Sequence, residues 1–444
     1  MLDYVQFIAP SGNSVQVSGP YGESVIRLLD WSSDPAMIEA HAVTLLVTEN
    51  LADIHSALNS NPYAAKLDIK LPSREELQQF IELLLESDPM LKDCMDFTPE
   101  VLAKRVVGLS RVNIRNAIQY AAHNGQRLDD EYVRTRRREL IEKECRGLLD
   151  FIESSRTLDD VAGHTEARQW LRDDATLLKR GNYRSVPMGY LLCGRIGTGK
   201  TFLTTCWAGE IGIPFVVLKN FRDKWQGSTE GNLEKIFSIL KALGQVLVFV
   251  DEADQATGKR EGGGSDNGVG GRIYAMLAKE MSDTDNRGKI IWIFATSRPD
   301  LVEVDLKRPG RLDVHIPLFP PQDAEEVAAL FKSMGRKVGV DSRSLVTLPV
   351  GQNLGGNEME ALLVRARRIF DLQSSKKKRS FKAILEEVVA DFRPMAHTAK
   401  LEFMDLVAVK ECTDTRFLPP AFRDLTIAEI DNRIGELKDI LGER

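Results

Sequence analysis

The residues with the clearest chemical potential are Gly194–Thr201, with the sequence GRIGTGKT. They fit a pattern in which two glycines enclose four residues and are followed by lysine and by serine or threonine. Glycines let backbone N–H groups converge on phosphate oxygens, Lys200 can reach the phosphates, and the Thr201 hydroxyl can bind magnesium. The pattern requires a strand before it and a helix after it. The apolar run 188–193 and the helical pattern Thr201–Ile211 meet that requirement.

Two adjacent carboxylates, Asp251 and Glu252, end the apolar run 246–250. Ligand sites in open α/β sheets form where strands end. Asp251 would hold magnesium, directly or through water, and Glu252 would orient an attacking water as general base. A carboxylate pair on a surface turn is the alternative, which the preceding apolar strand disfavours. ATP and Mg²⁺ are therefore the predicted ligands. The loop residues predicted to bind the nucleotide are Gly194, Arg195, Ile196, Gly197, Thr198, Gly199, Lys200, Thr201 and Phe202.

Apolar runs alternate with helical patterns through the segment that carries both motifs. The strand-like runs are 188–193, 214–218, 246–250 and 290–295, and the helical patterns include 201–211 and 232–243. Nearly continuous apolar runs indicate strands that are covered on both faces, as in a parallel sheet. Their alternation with helices predicts a three-layer α/β domain. Amphipathic patterns over 322–392 predict a small helical lid.

The two motifs and the later segment ATSRPDLVEVDLKRPGRLD resemble those of AAA ATPases, in the subfamily with a second region of homology. The resemblance covers about residues 157–392. It implies the P-loop AAA+ fold with a helical lid, and ATP hydrolysis within a ring of subunits, a homo-hexamer in this family. The letters DEAD at 251–254 do not indicate an RNA helicase, because the rest of that family's motif order is absent.

The resemblance assigns catalytic roles beyond the two motifs. Ser297 occupies the sensor-1 position, where the family usually has asparagine, and its shorter hydroxyl can still hydrogen-bond water or the γ-phosphate. Arg308 and Arg311 match the arginine fingers, which reach the γ-phosphate of a neighbouring subunit and stabilise the transition state.

Two further segments resemble parts of the family's nucleotide pocket. Residues 158–163 resemble the segment that lines the adenine, which implies contacts from Asp159, Val161 and Gly163. Gly356 lies in the region that resembles sensor 2, where this chain has no arginine.

Lys224-Trp225-Gln226-Gly227 resembles the first pore loop of the family, in which an aromatic side chain grips an extended polypeptide. Tryptophan offers a large apolar face with few torsions to restrict. A tryptophan packed in the core is the alternative, but its polar and glycine neighbours favour a loop. The implied substrate is therefore a protein chain.

Residues 1–150 resemble the back half of the segment that follows, at an offset of 248 residues (251 − 3). Matching positions in sequence order are a sign of an internal repeat. The matched pairs are Asp3 with Asp251, Thr48 with Thr296 and Pro72 with Pro320 at that offset, and Gly108 with Gly355 at an offset of 247. We therefore expect the back half of a degenerate AAA module before the intact one, as in tandem-module unfoldases similar to valosin-containing protein.

The first copy lacks the catalytic residues of the second. Tyr4 stands where the second copy has glutamate, and Ser60 and Tyr63 stand where it has arginines. We favour a chain that begins inside a longer tandem protein over a naturally truncated module, since a half module would leave a sheet edge exposed. The predicted domains are 1–66 (remnant of the large subdomain), 67–150 (its lid), 157–318 (ATPase large subdomain), 319–394 (lid) and 395–444 (C-terminal helical segment).

Composition narrows the function classes. The chain has 444 residues and a net charge of −6, which disfavours sequence-independent nucleic-acid binding. Its five cysteines form no CxxC pair, as expected of free thiols in a reducing, cytoplasmic setting. Apolar runs of membrane-spanning length and an HExxH protease motif are both absent from the sequence.

The sequence thus predicts a ring-forming ATPase that remodels, unfolds or disassembles protein substrates through a central pore. Two alternatives stay open: a scaffold that uses ATP only to assemble, and, with less support, a nucleic-acid motor or loader. The latter would need a basic surface with interleaved aromatic residues.

Overall fold

The computed structural model describes residues 1–11, 20–48, 54–67, 69–88, 90–145, 148–152, 154–219, 229–257, 269–349, 354–373, 379–393 and 397–442. These residues form two compact units. The first unit comprises the described parts of 1–147 with 229–243 and 269–276, and the second comprises those of 148–219, 244–257 and 277–442.

Short helices dominate residues 1–147. They are α1 (Pro20–Ser33), α2 (Pro35–Glu39), α3 (Ser56–Asn59), α4 (Arg74–Ser87), α5 (Met90–Asp93), α6 (Pro99–Arg105), α7 (Arg111–His123) and α8 (Asp130–Glu144). Helix α4 begins at a capping box formed by Ser73 and Glu76, and the Ser110 side chain caps α7. A parallel bridge joins Leu2 to Leu46, so the start of the chain pairs with the extended segment after α2.

The second unit contains a six-stranded sheet. Its strands are β1 (Leu149–Ile152), β2 (Gly189–Cys193), β3 (Phe215–Leu218), β4 (Val246–Val250), β5 (Ile290–Thr296) and β6 (Val314–Pro317). The strand order is β1-β3-β4-β5-β2-β6. Neighbours from β3 to β6 pair in parallel, which confirms the α/β class and the parallel core of the sheet.

The sheet departs from parallel pairing at one edge, where β1 pairs with β3 in antiparallel orientation. Strand β1 carries Asp150, which pairs with Lys219 at 2.7 Å, and its residues alternate between buried and half-buried. Strand β6 contains His315 and was also missed. Both strands are short and interrupted by polar residues, so a search for apolar runs does not find them.

The remaining helices follow in chain order. They are α9 (Thr165–Lys179), α10 (Lys200–Ile211), α11 (Thr229–Leu243), α12 (Ala253–Thr257), α13 (Val269–Met281), α14 (Ala324–Val338), α15 (Gly356–Asp371), α16 (Phe381–Ala390), α17 (Thr398–Glu411), α18 (Pro420–Arg423) and α19 (Ile427–Leu441). Among the described residues, no helix combines the length and apolarity that crossing a membrane requires.

Helix α10 is fixed against the sheet by apolar packing. All residues of β2, β4 and β5 are buried. Trp207 of α10 packs edge-on against Tyr190 of β2, with ring centroids 5.0 Å apart, and its indole N–H donates to the Leu171 carbonyl at 2.7 Å. This packing places the start of α10 directly after β2, where the phosphate loop must lie.

The lid and the C-terminal segment have separate apolar cores. Helices α14, α15 and α16 enclose a cluster that includes Phe331, Met359 and Leu385. Helices α17 and α19 pack together around Phe403 and Leu437.

Local backbone geometry near the start of the chain matches that at the end of β4. The bridge from Leu2 to Leu46 has the same spacing as the pairing of Val250 with Phe294. Tyr4 has φ 56° and Glu252 has φ 48°. The Tyr4 N–H donates to Asp3 Oδ1 at 2.9 Å, and the Glu252 N–H donates to Asp251 Oδ1 at 3.0 Å.

The helix starts match at other offsets. Side-chain caps align Ser73 with Asp323, rather than Pro72 with Pro320. The start of α7 at Ser110 aligns with the start of α15 at Gly355, an offset of 245 (355 − 110) instead of 247. Loop lengths between the helices differ, which a comparison at one fixed offset cannot follow.

Asp174 of α9 is a buried carboxylate within the sheet-facing core. It accepts a hydrogen bond from the Tyr190 hydroxyl at 2.6 Å and is 6% exposed. Burial raises the pKa of Asp174 to about 6, against 3.8 ordinarily, although the Tyr190 hydrogen bond opposes this. The folded protein thus holds a proton that the unfolded chain releases, so this group makes folding less favourable as pH rises from about 4 to 6.

We predict that Asp174→Asn raises the melting temperature at pH 7.5, because the amide still accepts the Tyr190 hydrogen bond without burying a charge. The gain should be roughly 1 to 3 kcal/mol and should shrink as pH falls toward 4.5. Thermal unfolding across that range measures it. The matched control is Glu166→Gln, an exposed carboxylate on the same helix. A difference in melting temperature between Asp174→Asn and the wild type that does not depend on pH would contradict the explanation.

Candidate active site

Three glycines give the loop after β2 its shape. Gly194, Gly197 and Gly199 have φ of 135°, 87° and 86°, which side chains disfavour. A Cβ atom on Gly194 would lie 2.1 Å from the carbonyl oxygen of Leu318. Glycine is therefore required where the loop leaves the sheet.

Lys200, the first residue of α10, folds back over this loop. Its Nζ donates to the carbonyl of Gly194 at 2.7 Å and to that of Arg195 at 3.1 Å. Burial lowers the pKa of Lys200, whereas the nearby Asp251 opposes that shift. Phosphate oxygens can replace these carbonyls as acceptors, with the free N–H groups of the helix start adding further donors.

Asp251 and Thr201 meet at the end of β4. The Thr201 hydroxyl donates to Asp251 Oδ2 at 3.3 Å, while Oδ1 accepts the Glu252 N–H. Glu252 has a left-handed backbone and is exposed. A hydroxyl and a carboxylate oxygen side by side are the hard donors that magnesium prefers, with water and phosphate completing its shell. These residues therefore fit the ion.

Ser297 directly follows β5 and is half-buried. Its neighbours fix the turn: the Thr296 hydroxyl donates to Asp254 Oδ1 at 2.6 Å, and the Arg298 N–H donates to the Thr296 hydroxyl at 2.8 Å. The end of β5 is thus tied to α12, the helix that directly follows Asp251 and Glu252.

A cavity of about 740 Å³ lies beside the loop. Predicted nucleotide-binding residues that line it are Val161, Gly163, Gly197, Thr198, Gly199, Phe202 and Gly356. The Gly356 N–H donates to the Gly197 carbonyl at 3.4 Å, so the lid contacts the loop. Asp159 is outside this lining and instead pairs with Arg172 at 2.6 Å, while Ile196 is largely exposed. The cavity size suits a small-molecule ligand.

Sequence reasoning missed His164, which lines the cavity. Its Nε2 lies 3.0 Å from the Thr198 carbonyl, and burial lowers its pKa, a shift that this hydrogen bond opposes. A neutral imidazole with hydrogen on Nε2 would donate to that carbonyl and support the loop. A single histidine in the sequence does not indicate a binding residue. His164 lies near Thr198 only in the folded chain.

The C-terminal segment was also missed as part of this cavity. Arg416, Phe417, Leu418 and Arg423 lie along its wall. Phe417 packs edge-on against Trp170, with ring centroids 5.4 Å apart.

The two predicted arginine fingers differ in how they are held. Arg311 donates to the Ser282 hydroxyl at 2.8 Å and to the Asp305 carbonyl at 2.7 Å. The Arg308 side chain is 59% exposed and lies 3.4 Å from the Asp305 carboxylate. Arg308 is therefore oriented outward, whereas Arg311 connects its own loop to Ser282, the residue after α13.

The predicted pore loop, Lys224, Trp225, Gln226 and Gly227, lies outside the described residues. Within the described part of the chain, no group of three or more His, Cys, Asp or Glu side chains is arranged to hold a metal. Magnesium bound through phosphate needs fewer protein ligands than that.

Three family models match the chain. The model described as "ATPase family associated with various cellular activities (AAA)" matches residues 190–319, which contain the loop and the carboxylate pair. The chain belongs to the AAA+ ATPases. Two AAA+ chaperone models match the residues before it: the "N-terminal Rossmann-like domain" at 1–70 and the "second helical domain" at 75–146. As an AAA+ ATPase, the chain is classified as an ATP hydrolase.

Relatives of this AAA+ ATPase include two kinds of protein. An ATP-dependent zinc metalloprotease FtsH from Thermobaculum terrenum is 35% identical over 250 residues, which are 49% of this chain and 36% of that protein. A cell division cycle protein 48 homolog from Archaeoglobus fulgidus is 25% identical over 365 residues, 74% of this chain and 48% of that protein. The chain thus spans between about a third and a half of these relatives.

Proposed function

We propose that this AAA+ ATPase hydrolyses ATP to ADP and phosphate in a homo-hexameric ring, and that hydrolysis drives remodelling, unfolding or disassembly of protein substrates. The observation that carries the proposal is the meeting of Thr201, Asp251 and Glu252 beside a loop that only glycine allows. Membership of the AAA+ ATPases supports ATP-driven protein remodelling in general. The ring, the pore and the cytoplasmic setting are part of the proposal.

Each residue has a role in the proposed reaction. The loop N–H groups and Lys200 bind and orient the phosphates, which lowers the entropic cost of reaching the transition state. Thr201 and Asp251 would hold Mg²⁺, which supplies charge neutralisation when bound. Glu252 accepts a proton from the attacking water and aligns it with the γ-phosphate. Ser297 hydrogen-bonds that water or the γ-phosphate.

Arg308 supplies positive charge to the active site of the neighbouring subunit. Its exposed guanidinium suits that role, because a planar fork of donors can bind two phosphate oxygens at once. Arg311 is held by Asp305 of its own loop and by Ser282, and it positions Arg308. The ring is then required for turnover, since no subunit completes its own site.

Trp225 grips the substrate chain in the central pore, with Lys224, Gln226 and Gly227 shaping the loop. This part rests on the resemblance of KWQG to family pore loops and on the physical suitability of tryptophan.

The domain division is also proposed. Residues 1–66 and 67–150 are the remnant and lid of a degenerate module, 157–318 and 319–394 form the active module, and 395–444 is a C-terminal helical segment. The shared backbone geometry of Tyr4 and Glu252 and the matched bridge support this. In the ring, the degenerate first modules would form a layer with a structural role, stacked on the layer of active modules.

We expect Glu252→Gln to reduce ATP turnover by at least about a hundred-fold while Mg-ATP still binds, because the amide cannot accept the proton. The matched control is Asp3→Asn, which removes the carboxylate that corresponds to Asp251 in the proposed degenerate module, and it should leave turnover unchanged. Steady-state phosphate release measures turnover, and a separate binding assay measures the affinity for Mg-ATP. The particle mass, recorded in parallel, reports assembly.

Equal turnover in wild type and Glu252→Gln would contradict the assigned base. Absence of turnover in the wild type, with ATP still driving assembly, would favour the scaffold. Stimulation by single-stranded nucleic acid but not by unfolded protein would favour the nucleic-acid motor.

We predict that Arg308→Ala lowers kcat by about a hundred-fold or more without loss of ATP binding, whereas the exposed lid variant Arg343→Ala does not. Mixing Arg308→Ala with Glu252→Gln subunits should restore part of the activity, since some interfaces then combine an intact base with an intact arginine. Failure of every mixture to regain activity would argue against action between subunits.

The pore hypothesis predicts that Trp225→Ala loses the stimulation of ATP turnover by a reduced and alkylated, permanently unfolded protein. The quantity to compare is the ratio of stimulated to unstimulated rate. Trp31→Ala removes an exposed tryptophan of the first unit and should retain the stimulation. Full stimulation of the Trp225 variant would rule out its assigned role.

A further inference from the structure

A buried ion pair connects helix α17 to the phosphate-binding loop. Arg195, the second residue of that loop, places Nη1 3.7 Å from Oδ2 of Asp405, and the two side chains are only 6% and 14% exposed. The contact therefore joins the C-terminal segment to the loop on its protein side, away from solvent.

The main chain of Arg195 holds other loop groups in place. Its carbonyl accepts hydrogen bonds from Lys200 Nζ at 3.1 Å and from the Thr198 hydroxyl at 3.0 Å. A displacement of Arg195 would therefore move the acceptor that orients the lysine and the threonine of the loop.

Helix α17 is itself firmly anchored. The Phe403 ring lies 4.8 Å from the Arg298 guanidinium carbon, next to Ser297. At the end of α17, the Glu411 carboxylate pairs with Lys307 and lies 3.5 Å from His315 Nδ1. Because α17 is fixed to the ends of β5 and β6, it gives Asp405 a rigid base.

The ion pair is a poor source of stability. Burial raises the pKa of Asp405 to about 6, against the opposing effects of Arg195 and Lys200, and Glu402 raises it further. Its Oδ1 atom is buried without a hydrogen-bond partner among the described residues. A buried pair of this kind gains little net stability, because desolvation offsets the attraction. The main consequence of the ion pair is that it fixes the position of Arg195 in the loop.

We propose that Asp405 is a positioning residue for nucleotide binding, which acts through Arg195 to hold the phosphate loop in its receptive shape. The C-terminal segment would then set nucleotide affinity from outside the phosphate site. This inference rests on the proposed nucleotide site, and it adds a residue that neither the motifs nor the family resemblance includes.

The test is a double-mutant cycle of Asp405→Asn, Arg195→Met and the pair. The readouts are the Kd of a fluorescent ADP analogue with Mg²⁺, and kcat and KM for ATP. Each single variant should weaken nucleotide binding by about ten-fold or more, chiefly through KM. The double variant should be no weaker than the weaker single variant, since both remove the same link. Asp405→Glu should restore most of the affinity.

The matched control is Lys410→Gln, on the same helix in an exposed pair with Asp431, which should bind as the wild type does. Additive losses in the cycle, or wild-type affinity in a folded Arg195→Met protein, would overturn the proposal. Should Asp405→Asn fail to fold, Arg195→Met and Asp405→Glu decide the question. Absence of nucleotide binding by the wild type would instead refute the proposed function itself.

Discussion

The whole site depends on a close approach of two backbone segments. As the chain leaves β2 it passes so near the residue after β6 that the Leu318 N–H donates to the Cys193 carbonyl at 2.7 Å. The Leu318 carbonyl then occupies the space that a side chain at Gly194 would need. This contact turns the loop back over α10, which brings Lys200 onto its carbonyls and Thr201 toward Asp251. The antiparallel strand β1 lies at the opposite edge of the sheet from β6 and takes no part in this contact.

Much of this arrangement is readable from sequence because it is local. The loop, the carboxylate pair and the central strands are short continuous segments, and the residue types of the apolar segments predict strands. The observed β2, β4 and β5 agree with that prediction. Strands β1 and β6 were missed because their polar residues hide them. His164 and Asp405 were missed for a different reason: their relevance comes from contacts with Thr198 and Arg195 that only the folded chain makes.

The difference between Arg308 and Arg311 shows what structure adds to a motif. The sequence offers both as equivalent fingers. Arg311, however, donates one hydrogen bond to Ser282 and another to the Asp305 carbonyl of its own loop, whereas Arg308 is largely exposed and pairs with the Asp305 carboxylate. Exposed pairs of this kind contribute little free energy, so Arg308 can leave Asp305 at small cost. Arg311 would have to give up two contacts first. Because of this difference, Arg308 is the better candidate to reach a neighbouring subunit, and Arg311 is the better candidate to position it.

Strained backbone near a carboxylate is commonly taken as a sign of catalysis, and the two units of this chain test that inference. Glu252 has the left-handed backbone and is the proposed base, but Tyr4 has nearly the same φ and no carboxylate. Both follow an aspartate that accepts their N–H, and both follow a residue paired in parallel with a neighbouring segment. The strain therefore belongs to the turn after the strand. Chemistry at this turn also requires a glutamate on the turn and a phosphate-binding loop opposite it. Among the described residues, the second unit combines these features and the first does not.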